Sequence, residues 1–474
     1  MGESKESSHQ SSQAFSVEAG RPTALDQLAT VLARQPMASA ADLARSVGVS
    51  VPTLHRMLQA LGHRIVSGGK ARRARYALRR PLRGVLSDLP LYEVDADGQA
   101  ALVSHLAPVM PEGTMMPLDG WPLVDEARDG WWGGLPYPLH DMRPQGYMGR
   151  QFARAEHHRL EVPANPVEWS DDDILHVLSR SGSDVSGNLI LGDPACERWL
   201  QAKVTVPEPI PGRRVGAAYG RLAEQAIAQG VAGSSAAGEF PKFPALRDLD
   251  RQVTPHVLVK FSGADGSPAV RRWADLLVAE HLALDCAATL PGVQSARSRV
   301  AVHAGRTFLE VERFDRVGMF GRSRLVSLDT VNAALIGEGV MDWPRLAARL
   351  AGAGWLSAED ELRILHLWWF GRLIANTDMH LGNLSFRPSQ GELALAPTYD
   401  MLPMLYAPLA GGEVPAREFQ PPLPLPAQRA AWTTACAAAL AFWIRAAADR
   451  RIGEAFRKTC ADNALRLNQR AERA

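Results

Sequence analysis

The front of the chain alternates apolar and polar residues at helical spacing, with capping and turn residues between the apolar runs. Residues 24–32 fit one helix, Ser39 caps the start of a second, and Gly48 ends that second helix. Ser50 then caps a third helix, with its inward face formed by Leu54, Leu58 and Leu61. Residues 64–70 and 74–78 follow as two strands around a Gly-Gly turn. This order predicts a winged helix-turn-helix over residues 23–85.

The pattern changes further along the chain. An apolar strand at 256–261 contains a single Lys, a helical pattern follows at 273–287, and a second strand is predicted at 307–311. From Ser357 a helix runs into an apolar stretch that ends at Ile374. The sequence therefore predicts an α+β fold. We expect a tail at 1–22, a first lobe within 90–310 and a mostly helical second lobe at 311–474.

The middle of the chain, residues 90–200, offers little chemistry. A Trp- and Pro-rich segment at 130–138 runs on to Arg143-Pro144-Gln145-Gly146. Aromatic residues in such a segment more often pack a small domain than stack on a ligand, so a scaffold is expected here.

Composition narrows the protein class. The 474 residues carry a net charge of +1 and four cysteines, which are far apart and form no C-x-x-C pair. This usage indicates neither a zinc site nor a disulfide framework and favours a reducing cytoplasm. No apolar run reaches the roughly 18 residues of a spanning helix, and the Ser-rich start lacks the apolar core of a secretory signal. A cytoplasmic protein without a membrane anchor is expected.

The distribution of charge is more informative than its sum. Between Leu43 and Ser87 there are ten Lys or Arg and no Asp or Glu, which is typical of a phosphate-binding surface. Thr53 and Arg56 are expected to contact base edges of double-stranded DNA. The expected phosphate contacts are Lys70, Arg72, Arg73 and Arg75. A winged helix usually needs a second copy for tight binding, so a homodimer is implied. The alternative is a winged helix that contacts protein, or a solvated basic face.

A second set of polar residues has the spacing of a phosphoryl-transfer site. Asp378 and Asn383 stand five positions apart, as the base and the metal ligand do in kinase catalytic loops, and Asp400 follows seventeen residues later. Asn383 and Asp400 would hold Mg²⁺, while Asp378 would orient the acceptor hydroxyl. Lys260 in its strand and Glu280 in the next helix match the kinase ion pair that orients ATP phosphates.

Residues 230–242 are small and Gly-rich and end in Lys242, so they form either a phosphate-wrapping loop or a flexible linker. The strand end at Glu312, Arg313 and Phe314 lies where a hinge would hold adenine.

These segments together resemble the HipA family of serine/threonine kinases, which act as toxins of bacterial toxin–antitoxin systems. The resemblance rests on Ser235-x-x-Gly238-x-x-Pro241-Lys242, Val259-Lys260-Phe261, Asn376-x-Asp378-x-His380-x-x-Asn383 and Tyr399-Asp400-x-x-Pro403. It covers about residues 90–450. The Arg143-Pro144-Gln145-Gly146 stretch and the fused N-terminal module are most similar to YjjJ-type members.

The resemblance implies a bilobal kinase-like fold that uses ATP and Mg²⁺, with Ser235 as an autophosphorylated off-switch and Asp378 as the base. The residues it places around the nucleotide are Ala237, Gly238, Glu239, Lys242, Lys260, Glu312, Arg313, Phe314, His380, Asn383, Tyr399 and Asp400. It also implies a protein substrate, such as an aminoacyl-tRNA synthetase. Phe240 and Gly382 depart from the family pattern, which usually has Gln at the first position and often Lys at the second.

Two other functions remain open. One is a small-molecule kinase of the aminoglycoside or choline type, since those enzymes also carry a D-x-x-x-x-N loop. The other is a transcription regulator whose kinase-like half only senses nucleotide.

Overall fold

The computed structural model describes residues 23–35, 37–229, 240–248, 253–339 and 341–473. The described chain divides into two compact units. The first contains residues 23–79 with Val109–Pro111, and the second contains Arg80–Pro108 and the chain from Glu112 onward. The N-terminal tail expected at 1–22 lies outside the described residues, and the division into domains made from the sequence stays a prediction.

Three capped helices and a hairpin build the first unit. Thr23, Ser39 and Ser50 each accept a backbone N–H of the first helical turn, as expected of N-cap side chains. Gly48 ends the second helix at a φ of +75°, a conformation that glycine adopts without strain. The elements are α1 Ala24–Arg34, α2 Ala40–Val47, α3 Val51–Leu61, β1 Ile65–Gly68 and β2 Arg75–Leu78.

The core of this unit forms where the three helices meet the hairpin. Leu54, Leu58 and Leu61 are buried, as the spacing predicts, and they pack with Leu28 and Leu43. β1 and β2 pair antiparallel, and Ala38, between α1 and α2, pairs with Tyr76 of β2. The order of these elements matches the one expected from the sequence, and the assignment to a winged helix-turn-helix stays a prediction.

The second unit begins with an antiparallel sheet in the order β6-β5-β4-β3-β7 and three helices. Ser170 and Asp173 form a capping box at the start of α5, where the sequence places three acids. The elements are β3 Leu89–Val94, β4 Ala100–Pro108, β5 Thr114–Met115, β6 Trp131–Trp132, α4 Gly146–Leu160, α5 Asp171–Ser181, β7 Leu189–Leu191 and α6 Asp193–Val204.

A four-stranded antiparallel sheet in the order β10-β11-β9-β8 follows, and helix α8 packs on it. Its strands β9 and β11 are almost continuously buried, which explains their apolar sequences. The elements are α7 Val215–Gln229, β8 Lys242–Leu246, β9 His256–Phe261, α8 Pro268–Ala287, β10 Ser298–His303 and β11 Arg306–Glu312.

The rest of the chain is mostly helical. Ser357 caps α11 as predicted, and α11 leads directly into the loop that carries Asp378. The elements are β12 Arg316–Val317, β13 Gly321–Arg322, β14 Val326–Ser327, α9 Leu328–Val331, α10 Trp343–Gly352, α11 Ala358–Leu373, β15 Ser385–Ser389, β16 Glu392–Leu395, α12 Arg429–Ala448 and α13 Glu454–Ala471. A sheet with its helix followed by a helical part confirms the predicted α+β, kinase-like class.

Helix α12 is the one described helix that is long and apolar enough to cross a membrane, judged by length and composition. It packs against α8, α11 and α13, and half of its apolar window is buried inside the protein. A core helix with this composition explains the apolar stretch without a bilayer.

Candidate active site

Lys260 lies on β9, a central strand of the second sheet, and its side chain is buried. Its ammonium group donates to both carboxylate oxygens of Glu280 on α8, over 2.7 Å to Oε1 and 2.8 Å to Oε2. The pairing predicted from the sequence is therefore confirmed. The same ammonium group also donates to Asp400, a third partner that was not predicted.

Burial and charge set the protonation of this triad. Burial raises the pKa of Glu280 to about 7, although the Lys260 charge opposes that shift. Burial also acts to raise the pKa of Asp400, but the charges of Lys260 and Lys242 outweigh it and lower that pKa to about 2. Burial would lower the pKa of Lys260, yet the two carboxylates raise it above its usual range. Lys260 is therefore a cation and Asp400 an anion at neutral pH.

The loop after α11 is held by hydrogen bonds between its own residues. Asn376 accepts the backbone N–H of Asp378 at 3.0 Å, and the amide of Asn383 donates to the backbone oxygen of Asp378 at 2.7 Å. The indole of Trp343 donates to the backbone oxygen of His380 at 3.2 Å. These bonds fix the Asp378 backbone, while its carboxylate is exposed and makes no hydrogen bond within the described chain.

Tyr399 and Asp400 approach this loop from the following segment. The Tyr399 hydroxyl donates to the backbone oxygen of Gly382 at 2.6 Å and meets the hydroxyl of Ser385 at 2.7 Å. Burial raises the pKa of Tyr399, so it is a neutral donor. Asp400 has a φ of +53°, which Asp tolerates better than most residues. Such a backbone is often found at functional sites, where the surrounding bonds impose it.

Two adjoining cavities are formed around these residues. The first, of about 470 Å³, is lined by Asp378, His380, Asn383 and Asp400. The second, of about 480 Å³, is lined by Leu258, Glu280, Val311, Glu312, Arg313, Phe314, Tyr399 and Asp400. Lys242, Lys260 and Gly382 line both cavities. The structure thus brings together all the predicted nucleotide and metal residues that it describes. Ser235, Ala237, Gly238 and Glu239 lie outside the described residues.

The donor set fits Mg²⁺ and a nucleotide. The side-chain nitrogen of Asn383 donates to the catalytic loop, and its oxygen Oδ1 makes no hydrogen bond in the described chain. Asp400 accepts the hydrogen bond from Lys260 with Oδ1 and leaves Oδ2 for a metal. An amide and a carboxylate oxygen are suitable Mg²⁺ ligands when phosphates and water complete the shell. No group of three or more His, Cys, Asp or Glu suited to a metal occurs among the described residues.

The hinge segment, Glu312–Asp315, is anchored to the middle of the chain. Arg313 donates to Asp184 at 3.1 Å and to Asp315 at 2.9 Å, and Arg316 donates to the same two carboxylates, over 2.7 Å each. Burial acts to raise the pKa of Asp315, but Arg313 and Arg316 outweigh it and hold that pKa well below its ordinary range. Arg313, predicted to contact the nucleotide, therefore has a guanidinium occupied by protein carboxylates.

Part of the cavity wall comes from a segment that the sequence did not predict to lie at the site. Asp141, Arg143 and Gln145, from the segment assigned to scaffold packing, line both cavities. Asp141 accepts three hydrogen bonds at the start of α9, from the Ser327 backbone and hydroxyl and from the Thr330 hydroxyl. In the sequence, the Arg-Pro-Gln-Gly stretch carries a family resemblance, and no spacing rule connects it to the catalytic loop.

The predicted DNA-contacting residues lie in the first unit. Arg56 is exposed on α3 and donates to the Thr53 hydroxyl at 3.2 Å, so these two side chains form one polar patch. In the hairpin, Lys70, Arg72 and Arg73 are exposed. Arg75 is half-buried and donates to the backbone oxygens of Arg72 and Ala74.

Comparison with protein families gives two matches. Residues 85–200 match the family described as the YjjJ-like toxin, middle domain, and residues 234–465 match the HipA-like C-terminal domain. Among curated proteins, the chain is 35% identical over 450 residues to Toxin YjjJ of Escherichia coli strain K12, which covers 95% of this chain and 99% of that protein.

Two solved structures are more distant. One is a complex of the Shewanella oneidensis MR-1 toxin–antitoxin proteins HipA and HipB with operator DNA, matched with a TM-score of 0.46 and 16% identity over 81% of this chain and 97% of the other. The other is the Helicobacter pylori proinflammatory kinase CtkA, with a TM-score of 0.33 and 10% identity over 50% of this chain and 92% of the other. With TM-scores below 0.5, neither adds weight to the assignment.

Proposed function

The chain belongs to the family of YjjJ-like and HipA-like toxins, and from this premise we propose that it is an ATP-dependent serine/threonine protein kinase of a toxin–antitoxin system. The observation that carries the proposal is the convergence of Lys260, Glu280, Asp378, Asn383 and Asp400 on two adjoining cavities. Phosphoryl transfer needs positioning and charge neutralisation more than a covalent nucleophile, and this set provides both.

The second cavity would hold the adenine. Leu258, Val311 and Phe314 give it apolar walls, and the hinge segment closes one side. Lys260, oriented by Glu280, would contact the phosphates, and Asn383 and Asp400 would hold Mg²⁺. Bound ATP and Mg²⁺ would supply the transferable phosphoryl group and neutralise its charge.

Asp378 is the proposed base. Its carboxylate is exposed in the first cavity and the Asn376 and Asn383 contacts hold its backbone, so an acceptor hydroxyl can donate a hydrogen bond to it. The hydroxyl oxygen would form its bond to the terminal phosphorus while the bond from that phosphorus to the bridging oxygen breaks and ADP leaves, and the Asp378 carboxylate would accept the hydroxyl proton.

Ser235 is proposed as an autophosphorylation site on the strength of the resemblance. The segment that contains it connects α7, which ends at Gln229, to β8, which begins at Lys242. Phe240 and Lys242 follow this segment closely in the chain. Both residues line the first cavity. This connection supports the proposal that the Ser235 segment is within reach of the phosphates.

Incubation of the full chain with ATP labelled at its terminal phosphate tests the kinase proposal. We expect the wild type to label itself, Ser235→Ala to lose most of that label, and Asp378→Asn to lose about 10²- to 10⁴-fold in transfer rate while still binding nucleotide. Glu359→Gln, an exposed carboxylate change on α11, should behave like the wild type. Unchanged transfer by Asp378→Asn would contradict the assignment.

The same assay separates the alternatives. Label that appears on a small aminoglycoside or amino alcohol and never on protein would favour a small-molecule kinase. Nucleotide binding without any transfer, with an unchanged biological effect of Asp378→Asn, would favour a nucleotide-sensing regulator.

The basic first unit supports a second part of the proposal, binding of double-stranded DNA. The run of ten Lys or Arg without Asp or Glu lies largely in this unit. A winged helix usually binds DNA tightly as two copies, so we propose that the chain binds DNA as a homodimer.

We further propose that the substrate is a protein of the translation machinery, such as an aminoacyl-tRNA synthetase. The proposed location is the bacterial cytoplasm near the nucleoid.

A further inference from the structure

The two cavities of the candidate active site meet at a narrow set of residues. These are Asp141, Arg143, Gln145, Lys242, Lys260, Ser327, Gly382 and Asp400, which line both cavities. If a nucleotide has its base in the second cavity and its reacting end in the first, its phosphate chain passes along this junction. Three of the junction residues are cations: Arg143, Lys242 and Lys260.

The three cations differ in what they can still bind. Lys260 is already shared between Glu280 and Asp400. Lys242, at the start of β8, carries a compact ammonium group, which lacks the planar fork that binds two phosphate oxygens at once. Arg143 donates its Nε to the backbone oxygen of His140 at 2.8 Å, and its two terminal nitrogens make no other hydrogen bond or ion pair in the described chain. A guanidinium has five N–H donors in a planar fork that matches two phosphate oxygens, so Arg143 keeps four donors for a ligand.

The position of Arg143 is fixed before any ligand binds. Asp141, two residues earlier, is held by its three hydrogen bonds with Ser327 and Thr330. Pro144 follows Arg143 and favours the extended backbone that Arg143 adopts, with φ −60° and ψ 137°. Gly149 of α4 packs on Pro144 so closely that an added Cβ would lie 2.3 Å from its carbonyl carbon. Such anchoring reduces the entropy lost when Arg143 engages an anion.

The catalytic loop lacks a strong cation of its own. From Asn376 to Asn383 it reads Asn-Thr-Asp-Met-His-Leu-Gly-Asn, without Lys or Arg. The side of the first cavity that faces the acceptor hydroxyl therefore needs positive charge from elsewhere. Arg143 lines that cavity and is contributed by a segment more than two hundred residues away in the chain.

We propose that Arg143 binds the terminal phosphate of the nucleotide, donating two N–H groups to its non-bridging oxygens. Arg143 forms and breaks no covalent bond. Its charge stabilises the phosphoryl group as the acceptor oxygen approaches. This inference rests on the proposed kinase function and adds to it a phosphate-binding residue from outside the kinase-like sheet and catalytic loop.

Nucleotide binding to the full chain provides the test, measured by titration calorimetry with ATP and with ADP in the presence of Mg²⁺. Arg143→Ala and Arg143→Gln should weaken ATP binding by about 10- to 100-fold, the usual range for a lost charge-assisted hydrogen bond. ADP binding should change by no more than about threefold, because ADP lacks the contacted phosphate. Arg143→Lys should recover only part of the ATP affinity, since a point charge lacks the fork.

The matched control is Arg154→Ala, an exposed arginine on α4 that lines neither cavity. It should bind both nucleotides like the wild type. The role of Arg143 would be overturned if Arg143→Gln lost ATP and ADP affinity equally. It would also be overturned if Arg143→Gln bound both nucleotides as well as Arg154→Ala does. Either result leaves the kinase proposal standing. A wild-type chain that binds neither nucleotide would overturn both.

Discussion

One ammonium group, Lys260 Nζ, compensates two carboxylates in the cavity wall. Glu280 is completely buried, and the side chain of Lys260 is only 9% exposed. Removing one member of a buried ion pair is costly mainly because it leaves the other charge without a partner. Lys260 therefore stabilises the fold as well as serving the proposed chemistry.

Lys260→Met is expected to reduce the free energy of unfolding by about 3–5 kcal/mol. The double variant Lys260→Met/Glu280→Gln should recover part of that loss, because the fully buried Glu280 no longer carries a charge, while Asp400 is 29% exposed and keeps some contact with water. Urea unfolding of the full chain measures both changes. Lys458→Met, on the exposed face of α13, is the control and should stay within about 0.5 kcal/mol of the wild type. A double variant less stable than the single one would contradict this account.

The sequence predicts part of this triad. A Lys in an apolar strand has few explanations other than pairing, and the helical Glu twenty residues later was the natural candidate. Asp400 was predicted as a metal ligand, and its bond to Lys260 could not be foreseen. That contact joins residues 140 positions apart, and it depends on how the segment after the catalytic loop folds back.

At the scale of elements, the hinge segment is held in place by buried charges. Asp315 accepts hydrogen bonds from Arg313, Arg316 and the backbone of Gly187, and its side chain is 7% exposed. Gly187 belongs to the chain just before β7. The end of β11 is thus tied to a segment that lies more than a hundred residues earlier.

Asp315→Asn is expected to destabilise the protein by about 3–5 kcal/mol at pH 7, since Arg316, which is buried, and Arg313, whose side chain is 11% exposed, each lose one of their two carboxylate partners. The pKa of Asp315 is lowered by folding from an ordinary value of 3.8. Its stabilising effect is therefore present above that value and is lost as pH falls. Urea unfolding at pH 7, 5 and 3.5 should show the gap between wild type and variant narrowing toward acid. A gap that widens toward acid would contradict the assignment.

Secondary structure was the part of the fold most accessible from sequence. Serine and threonine caps and apolar spacing located the helices of the first unit, α8 and α11, because those signals are local. The role of residues 141–149 was not accessible. A cavity wall has no periodicity, and these residues were interpreted as scaffold because the aromatic residues before them indicate packing.

At the scale of the whole chain, basic and kinase-like parts are joined in one polypeptide. The first unit has exposed cations on its hairpin and a polar patch on α3. Charge on such a surface contributes binding energy through release of counterions from DNA, which makes the affinity depend on salt.

Replacing all four hairpin cations with alanine in the full chain should weaken binding to double-stranded DNA at every sequence tested. The slope of log affinity against log salt should fall by about 3 to 4, close to one per phosphate contact. Fluorescence anisotropy across a salt series measures both. The control replaces four exposed arginines of the second unit, Arg154, Arg214, Arg345 and Arg429. If the control lowers affinity as much as the hairpin variant, non-specific charge explains the binding.

The cavity wall contributed by the middle of the chain limits how this chain can be divided into fragments. The HipA-like region spans 234–465, but its hinge-side cavity is also bounded by residues 142–152 and 177–186, within the YjjJ-like region. In a fragment of the HipA-like region alone, Leu258 and Val311 would lose the opposite wall of this cavity. We therefore expect the proposed phosphoryl transfer to require both regions in one chain.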